Sequence, residues 1–236
     1  MDRSLHLSMV KRVSHPLFFT IHRLLTMASS SFLLRPDATQ PVPGDQLPPH
    51  PYTFPLDPFQ QHALCAIAKE HHVLVCAKTG SGKTLVGEYQ IVHSLAKGRR
   101  VFYTTPIKSL SNQKFHDLKT MFPEARVGIM TGDIKFCPDA QIVIMTTEIL
   151  RNLLYKQGTV TESIGLTASL SMDDVDAVIF DECHYINDRD RGAVWEETMI
   201  LLPPTVRMIL LSATLDHPEF LAEWLGELKQ TPVHLL

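Results

Sequence analysis

The 236-residue sequence predicts an α/β protein in which a mainly parallel β-sheet is covered by helices on both faces. Three observations carry this. Seven runs of five to seven residues are apolar without the alternation of a half-exposed strand, as expected for strands buried on both sides. Stretches with helical spacing lie between most of them. Small, hydroxylic and acidic residues gather at the carboxyl ends of several runs, where sheets of this kind bind ligands.

In chain order, Val73-Leu74-Val75-Cys76-Ala77 comes first and leads through a glycine-rich turn into a helix over Leu85 to Ala96. The run at 101–105 closes on Thr104-Thr105-Pro106, and helical spacing follows from Ile107 to Met121. Runs at 126–130 and 142–146 come next, the second continuing into helical spacing over Thr147 to Tyr155. Residues 156–173 contain Gly158, Gly165 and many Ser and Thr, and read as a surface excursion. The run at 176–181 ends in Asp181-Glu182, that at 206–212 in Ser212-Ala213-Thr214, and 232–236 is the final strand. No internal repeat is present.

Ahead of this alternation the composition changes twice. Eight of the sixteen prolines lie between Pro36 and Pro58, a density that opposes helix and sheet alike, so residues 37–53 read as a linker. Residues 1–36 hold Arg3, Lys11, Arg12, Arg23 and Arg35 against Asp2 alone. That basic extension fits a transit peptide, a disordered tail, or sequence upstream of a start at Met27. Residues 54–236 form the domain. Residues 1–50 carry a net charge of +2 and the remainder −5, so nucleic-acid binding must come from a local surface and not from bulk charge. Cys65, Cys76, Cys137 and Cys183 lack metal-ligand spacing and read as reduced, mostly buried thiols of an intracellular protein. Nucleus or cytoplasm is expected over an organelle. No apolar run is long enough to cross a bilayer.

The chemistry is concentrated in two motifs. In Ala77-Lys78-Thr79-Gly80-Ser81-Gly82-Lys83-Thr84, glycines let backbone N–H groups converge on phosphate oxygens at a helix start. Lys83 supplies a point charge for the β- and γ-phosphates, and the Thr84 hydroxyl can bind Mg²⁺. Ala77 stands where this loop usually begins with Gly. A hundred residues on, Asp181 and Glu182 leave a strand together, Asp181 to hold the metal and Glu182 to orient or deprotonate the attacking water. The pair of motifs predicts a site for a nucleoside triphosphate with Mg²⁺.

Together with Asp181-Glu182-Cys183-His184 and Ser212-Ala213-Thr214, the phosphate loop resembles motifs one, two and three of superfamily-two helicases of the DExH-box kind. Tyr103 to Lys114, Thr131-Gly132-Asp133 and Thr146 to Asn152 resemble the segments that grip the nucleic-acid backbone in that family. Phe54 to Gln60 resembles its opening segment. Leu110-Ser111-Asn112-Gln113-Lys114-Phe115, and His184 to Asp188 followed by Arg191-Gly192 and Val194-Trp195-Glu196-Glu197, are similar to the superkiller-type, antiviral or exosome-cofactor RNA helicases. The resemblance covers roughly residues 54–228. Cys183 takes the place of a more usual aliphatic.

The resemblance implies one RecA-like P-loop NTPase domain that uses ATP and Mg²⁺ and binds single-stranded RNA by its backbone. Gln60 would read the adenine edge. Thr105, Pro106, Ser111, Asn112, Gln113, Thr131, Gly132, Thr147 and Glu148 would form the RNA track, and His184, Ser212 and Thr214 would couple it to ATP. Small hydroxyl and amide side chains at helix starts suit sequence-independent phosphate contacts, although each alone is also an ordinary cap. Full turnover in such motors draws arginines from a second RecA-like domain, here expected in cis, and the branch works in RNA-decay complexes. Arg189 and Arg191 are expected to pair with neighbouring Asp188 and Asp190, and Trp195 to pack. A module that binds ATP or RNA without turnover, and a DNA translocase of the same superfamily, are the alternatives.

Overall fold

The structure, a computed structural model, describes residues 31–157 and 171–236. The expectations for residues 1–30 and for 158–170 of the 156–173 excursion lie outside the described residues, while 156–157 close a helix and do not belong to the excursion. Of the four cysteines, expected to be mostly buried, Cys183 is buried and Cys65, Cys76 and Cys137 are half-buried. Each of the seven apolar runs forms a strand: β2 (His72–Cys76), β3 (Arg100–Thr105), β4 (Val127–Met130), β6 (Ile142–Thr146), β7 (Val175–Phe180), β8 (Arg207–Ser212) and β9 (Val233–Leu235). Two strands of two residues, β1 (Leu33–Leu34) and β5 (Lys135–Phe136), lie at the edges. The sheet order is β1-β9-β2-β8-β7-β3-β6-β4-β5, and only the β4–β5 pairing is antiparallel.

Six helices cover it among the described residues: α1 (Pro58–Ala68), α2 (Thr84–Ala96), α3 (Lys108–Met121), α4 (Thr147–Gln157), α5 (Gly192–Leu201) and α6 (Pro218–Lys229). Because successive side chains of a strand point to opposite faces, each apolar run feeds two cores. Leu74, Phe102, Val178, Phe180 and Leu210 pack with residues of α4, α5 and α6, such as Leu150, Trp195 and Leu221. Val75, Val101, Tyr103, Ile179 and Leu211 pack with residues of α1, α2 and α3, such as Leu64, Val86 and Leu118. Burying one such side chain contributes about 1.5–3 kcal/mol, and truncating fully buried Leu210 to Ala would cost about 2–5 kcal/mol.

The proline-rich segment contains no regular element between β1 and α1, as its composition dictates, but it is not loose against the domain. The Val42 N–H donates to Gln61 Oε1 at 2.9 Å, and Tyr52 and Tyr89 hydroxyls reach the carbonyls of Leu85 and Pro49. These bonds strap residues 42–52 across α1 and α2. At the opposite face, buried Lys229 donates to the carbonyls of Ile200 (3.2 Å) and Leu202 (2.6 Å), ending α5 with a side-chain cap. Burial lowers that ammonium to about 7.

Candidate functional site

The carboxyl ends of six neighbouring strands set out the predicted motifs in a row. Cys76 of β2 is in register with Ser212 of β8, and the Ala77 N–H donates to the Ser212 carbonyl at 3.1 Å, joining the phosphate loop to Ser212-Ala213-Thr214. Next along, Phe180 of β7 pairs with Leu210 on one side and Thr104 of β3 on the other, which places Asp181-Glu182 beside Thr105-Pro106. Thr105 pairs with Thr146 of β6, and Met145 with Met130 of β4, so Thr147-Glu148 and Thr131-Gly132 complete the row. The chain order of these motifs differs from their order in space, because the parallel crossovers carry the chain back and forth over the sheet.

Gly80 and Gly82 adopt φ of +83° and +79°, the left-handed region that a side chain disfavours, and this curls the phosphate loop into the start of α2. Lys83 is the N-cap residue of that helix and is buried. A cleft of 410 Å³ opens here. Thr79, Gly80, Gly82, Lys83 and Thr84 line it, with Asp181, Glu182 and, from α3, Leu110, Gln113, Lys114 and Asp117. Helix N-terminal amides, a lysine and two carboxylates in one cleft form a setting for a metal-bound polyphosphate.

Asp181 is held by two donors. The Tyr103 hydroxyl donates to Oδ2 at 2.7 Å and the Glu182 N–H to Oδ1 at 3.0 Å. Tyr103 is fully buried, and burial, reinforced by the Asp181 charge, pushes its hydroxyl well above the usual phenol range, so it remains a donor. The oriented carboxylate and the Thr84 hydroxyl are hard oxygen ligands of the type Mg²⁺ takes, so the residues fit that ion. Glu182 occupies the left-handed region at φ +51°, an uncommon conformation for a side chain of this size. Its Oε2 is buried without a hydrogen bond inside the protein and lies 3.3 Å from His184 Nδ1, near enough for an ion pair if the imidazole is protonated.

Other predicted residues fall as follows. Gln60 is buried, with Nε2 donating to the Gly82 carbonyl at 3.2 Å and Oε1 accepting the Asp57 N–H at 2.9 Å; its amide braces the phosphate loop against α1. Ser212 Oγ donates to the Thr214 carbonyl at 3.1 Å. Thr105 and Ser111 hydroxyls are buried and bonded to each other at 2.6 Å, so they fasten the β3–α3 turn from within. Thr131 Oγ1 accepts the Ile134 N–H, and Thr147 Oγ1 is buried with no partner in the protein. Asn112 is exposed, while Gln113 lines the cleft beside the phosphate loop. Lys108 forms an ion pair with Asp133 beside Gly132.

Arg191 departs from its expectation. Asp188 Oδ1 accepts the backbone N–H groups of Asp190 and Arg191, which satisfies it locally. The Arg191 side chain reaches away to Glu148 and the Pro106 carbonyl. Trp195 is fully buried and stacks on Tyr185 at 6.0 Å, so it packs as expected. The part of Tyr103 in orienting Asp181 is not among the expectations above. The signal was a hydroxyl in an otherwise buried run, where it must find a partner.

Residues 57–221 match the DEAD/DEAH box helicase family. Over 178 residues the chain is 49% identical to a chloroplastic DExH-box ATP-dependent RNA helicase, DExH15, of Arabidopsis thaliana, covering 75% of this chain and 15% of that protein. Over 195 residues it is 44% identical to the antiviral helicase SKI2 of Saccharomyces cerevisiae, covering 81% of this chain and 14% of that one. The chain thus spans about a seventh of these relatives. Among solved structures, the Mycobacterium smegmatis helicase Lhr bound to single-stranded DNA and AMP-PNP superposes with a TM-score of 0.58 at 27% identity, covering 75% of this chain and 25% of that one. The parallel α/β architecture is thus that of a RecA-like helicase domain.

Proposed function

The chain belongs to the DEAD/DEAH box helicases, and from that premise we propose that it is the ATP-binding half of an ATP-dependent RNA helicase. The observation that supports this best is the row of strand ends. The phosphate loop and Asp181-Glu182 line one cleft from β2 and β7, Ser212-Ala213-Thr214 ends the strand between them, and Thr105-Pro106, Thr147-Glu148 and Thr131-Gly132 continue the same row. In this reading residues 54–236 are the ATP-binding domain, with 37–53 strapped to it and 1–36 an extension.

Loop amides from Ala77 to Thr84 and the Lys83 ammonium take the phosphates. Thr84 and Asp181 would hold Mg²⁺, which would supply charge neutralisation on the phosphate oxygens. Glu182, whose Oε2 has no partner in the protein, orients the attacking water and accepts its proton. His184 and Ser212-Ala213-Thr214 connect this site to the track, where Pro106, Asn112, Gly132 and Thr147 face an RNA backbone that α3 and α4 meet at their N-termini. Gln60 reads the adenine edge by exchanging its amide bonds to Gly82 and Asp57 for bonds to the base. Arginines from a second RecA-like domain in cis complete the site, and the assembly works in RNA decay inside the cell, in nucleus or cytoplasm. No helix among the described residues is long and apolar enough to cross a membrane.

The test is Glu182→Gln, whose amide cannot accept the proton. With a second RecA-like domain present it should retain Mg²⁺–ATP binding and lose turnover. Near-normal turnover would remove Glu182 from the mechanism. A DNA translocase is the second reading, favoured by the single-stranded DNA in the Lhr structure. Comparing stimulation of ATPase activity by RNA and by DNA of one sequence separates the two.

A further inference from the structure

Arg191 is the last residue before α5 and lies next to the turn that follows Glu182, yet its guanidinium ends among the expected RNA-facing segments. One nitrogen, Nη2, donates to the Pro106 carbonyl at 2.5 Å and to Glu148 Oε1. Its planar head lies 5.8 Å from the ring centroids of both Tyr185 and Trp195. Tyr185 belongs to the short 3₁₀ helix Cys183–Asn187 that begins directly after Glu182, and its neighbour His184 is 3.3 Å from Glu182 Oε2. A continuous set of contacts therefore runs from Glu182 through His184, Tyr185 and Arg191 to Pro106 and the first turn of α4.

We propose that Arg191 couples the nucleotide site to the RNA track, as a positioning residue that holds Glu148 and the Pro106 carbonyl to the segment following Asp181-Glu182. This rests on the helicase reading above. Two physical arguments support it. Glu148 brings a negative charge next to Thr147, where an RNA phosphate would sit, and an unpaired carboxylate there would repel it; the guanidinium neutralises that charge. The contacts also favour an arginine: lying within 5.8 Å of two ring centroids suits a flat, weakly hydrated cation, which the compact lysine ammonium is not. Both side chains of the Arg191–Glu148 pair are about one-third exposed. An ion pair so placed adds little to stability, so its arrangement is better explained by what it connects.

Coupling is read as the ratio of RNA affinities with and without nucleotide, and reciprocity makes it equal to the effect of RNA on nucleotide affinity. The experiment uses the chain with a second RecA-like domain present, a fluorescent oligouridylate, and titrations with and without AMP-PNP and Mg²⁺. For the unsubstituted protein the ratio should be about tenfold, within the usual range of such couplings. Arg191→Lys should bring it close to one while the melting temperature and the nucleotide affinity without RNA remain near their original values. Glu148→Gln should reduce the ratio as well, and the double variant should lose no more than Arg191→Lys alone. An unchanged ratio in Arg191→Lys would overturn the proposal. So would a fall in melting temperature and both affinities at constant ratio, since that is a structural role alone. Absence of any RNA binding by the unsubstituted protein would overturn the helicase reading itself, a distinguishable outcome.

Discussion

Replacing Tyr103 by Phe removes one oxygen from the structure and tests whether Asp181 needs to be held. The ring stays in its fully buried slot in β3, with Lys114 Nζ 5.3 Å from its centroid, so packing is retained. What disappears is the 2.7 Å bond to Asp181 Oδ2, while the Glu182 N–H still holds Oδ1. A hydrogen bond to a charged group contributes about 1.5–3 kcal/mol, and the void left by one oxygen is too small to add much. For a domain of this size that predicts a fall in melting temperature of roughly 3–12 °C. With one anchor gone the carboxylate can rotate, and Mg²⁺–ATP binding should weaken by about tenfold, or 1.4 kcal/mol, while ATP binding in EDTA stays unchanged. The charge of the carboxylate is unchanged by the substitution, so the loss comes from its orientation. Titration with a fluorescent ATP analogue at graded Mg²⁺, beside a thermal melt, gives both quantities. A variant that melts and binds Mg²⁺–ATP like the parent, or binds it more tightly, refutes the reasoning.

Lys83→Ala removes the buried charge partner of the phosphates and should weaken nucleotide binding by on the order of 2–3 kcal/mol, measurable by calorimetry. Gln60→Ala breaks the brace to Gly82 and should reduce discrimination of ATP over GTP in competition binding; if the unsubstituted chain already binds both equally, Gln60 serves only the loop. Buried Lys229 and half-buried Glu196 give stability a pH dependence. The folded state holds Lys229 near 7, below its free value of 10.5, so between those values the unfolded chain binds the extra proton and stability rises with pH. Burial raises Glu196 from 4.5 to about 7, so in that interval the folded state binds the extra proton and stability falls as pH rises. Their joint contribution has a minimum close to pH 7. Urea midpoints should show Lys229→Met losing the alkaline rise and Glu196→Gln losing the acid-side fall.

The strands were legible because burial on both faces forces unbroken apolar runs, a pattern independent of partners. The two edge strands were not, since two residues such as Lys135-Phe136 carry no period. Proline density correctly excluded helix and strand from 37–53 but could not reveal the strap, which depends on hydrogen bonds to Gln61 and Leu85, far along the chain. In the site, backbone chemistry was the most readable part: glycines at Gly80 and Gly82 and carboxylates at a strand end leave local signatures. Side-chain direction was not readable. Thr105 and Ser111 have the right chemistry for phosphate and turn inward to each other, and Arg191 passes over its nearest acids because Asp188 is already satisfied by backbone N–H groups.

The position of β8 has a metric consequence. It lies between β2 and β7 and hydrogen-bonds to both, so exactly two inter-strand steps separate the strand that launches the phosphate loop from the strand that launches Asp181. Backbone hydrogen bonding fixes each step at about 4.8 Å, which sets the two strands roughly 9.6 Å apart. That span is a ruler made of peptide groups and independent of any side chain in the cleft. Substitutions in the cleft can change how tightly a polyphosphate is gripped, but the gauge between its two ends changes only if the strand between them is lost.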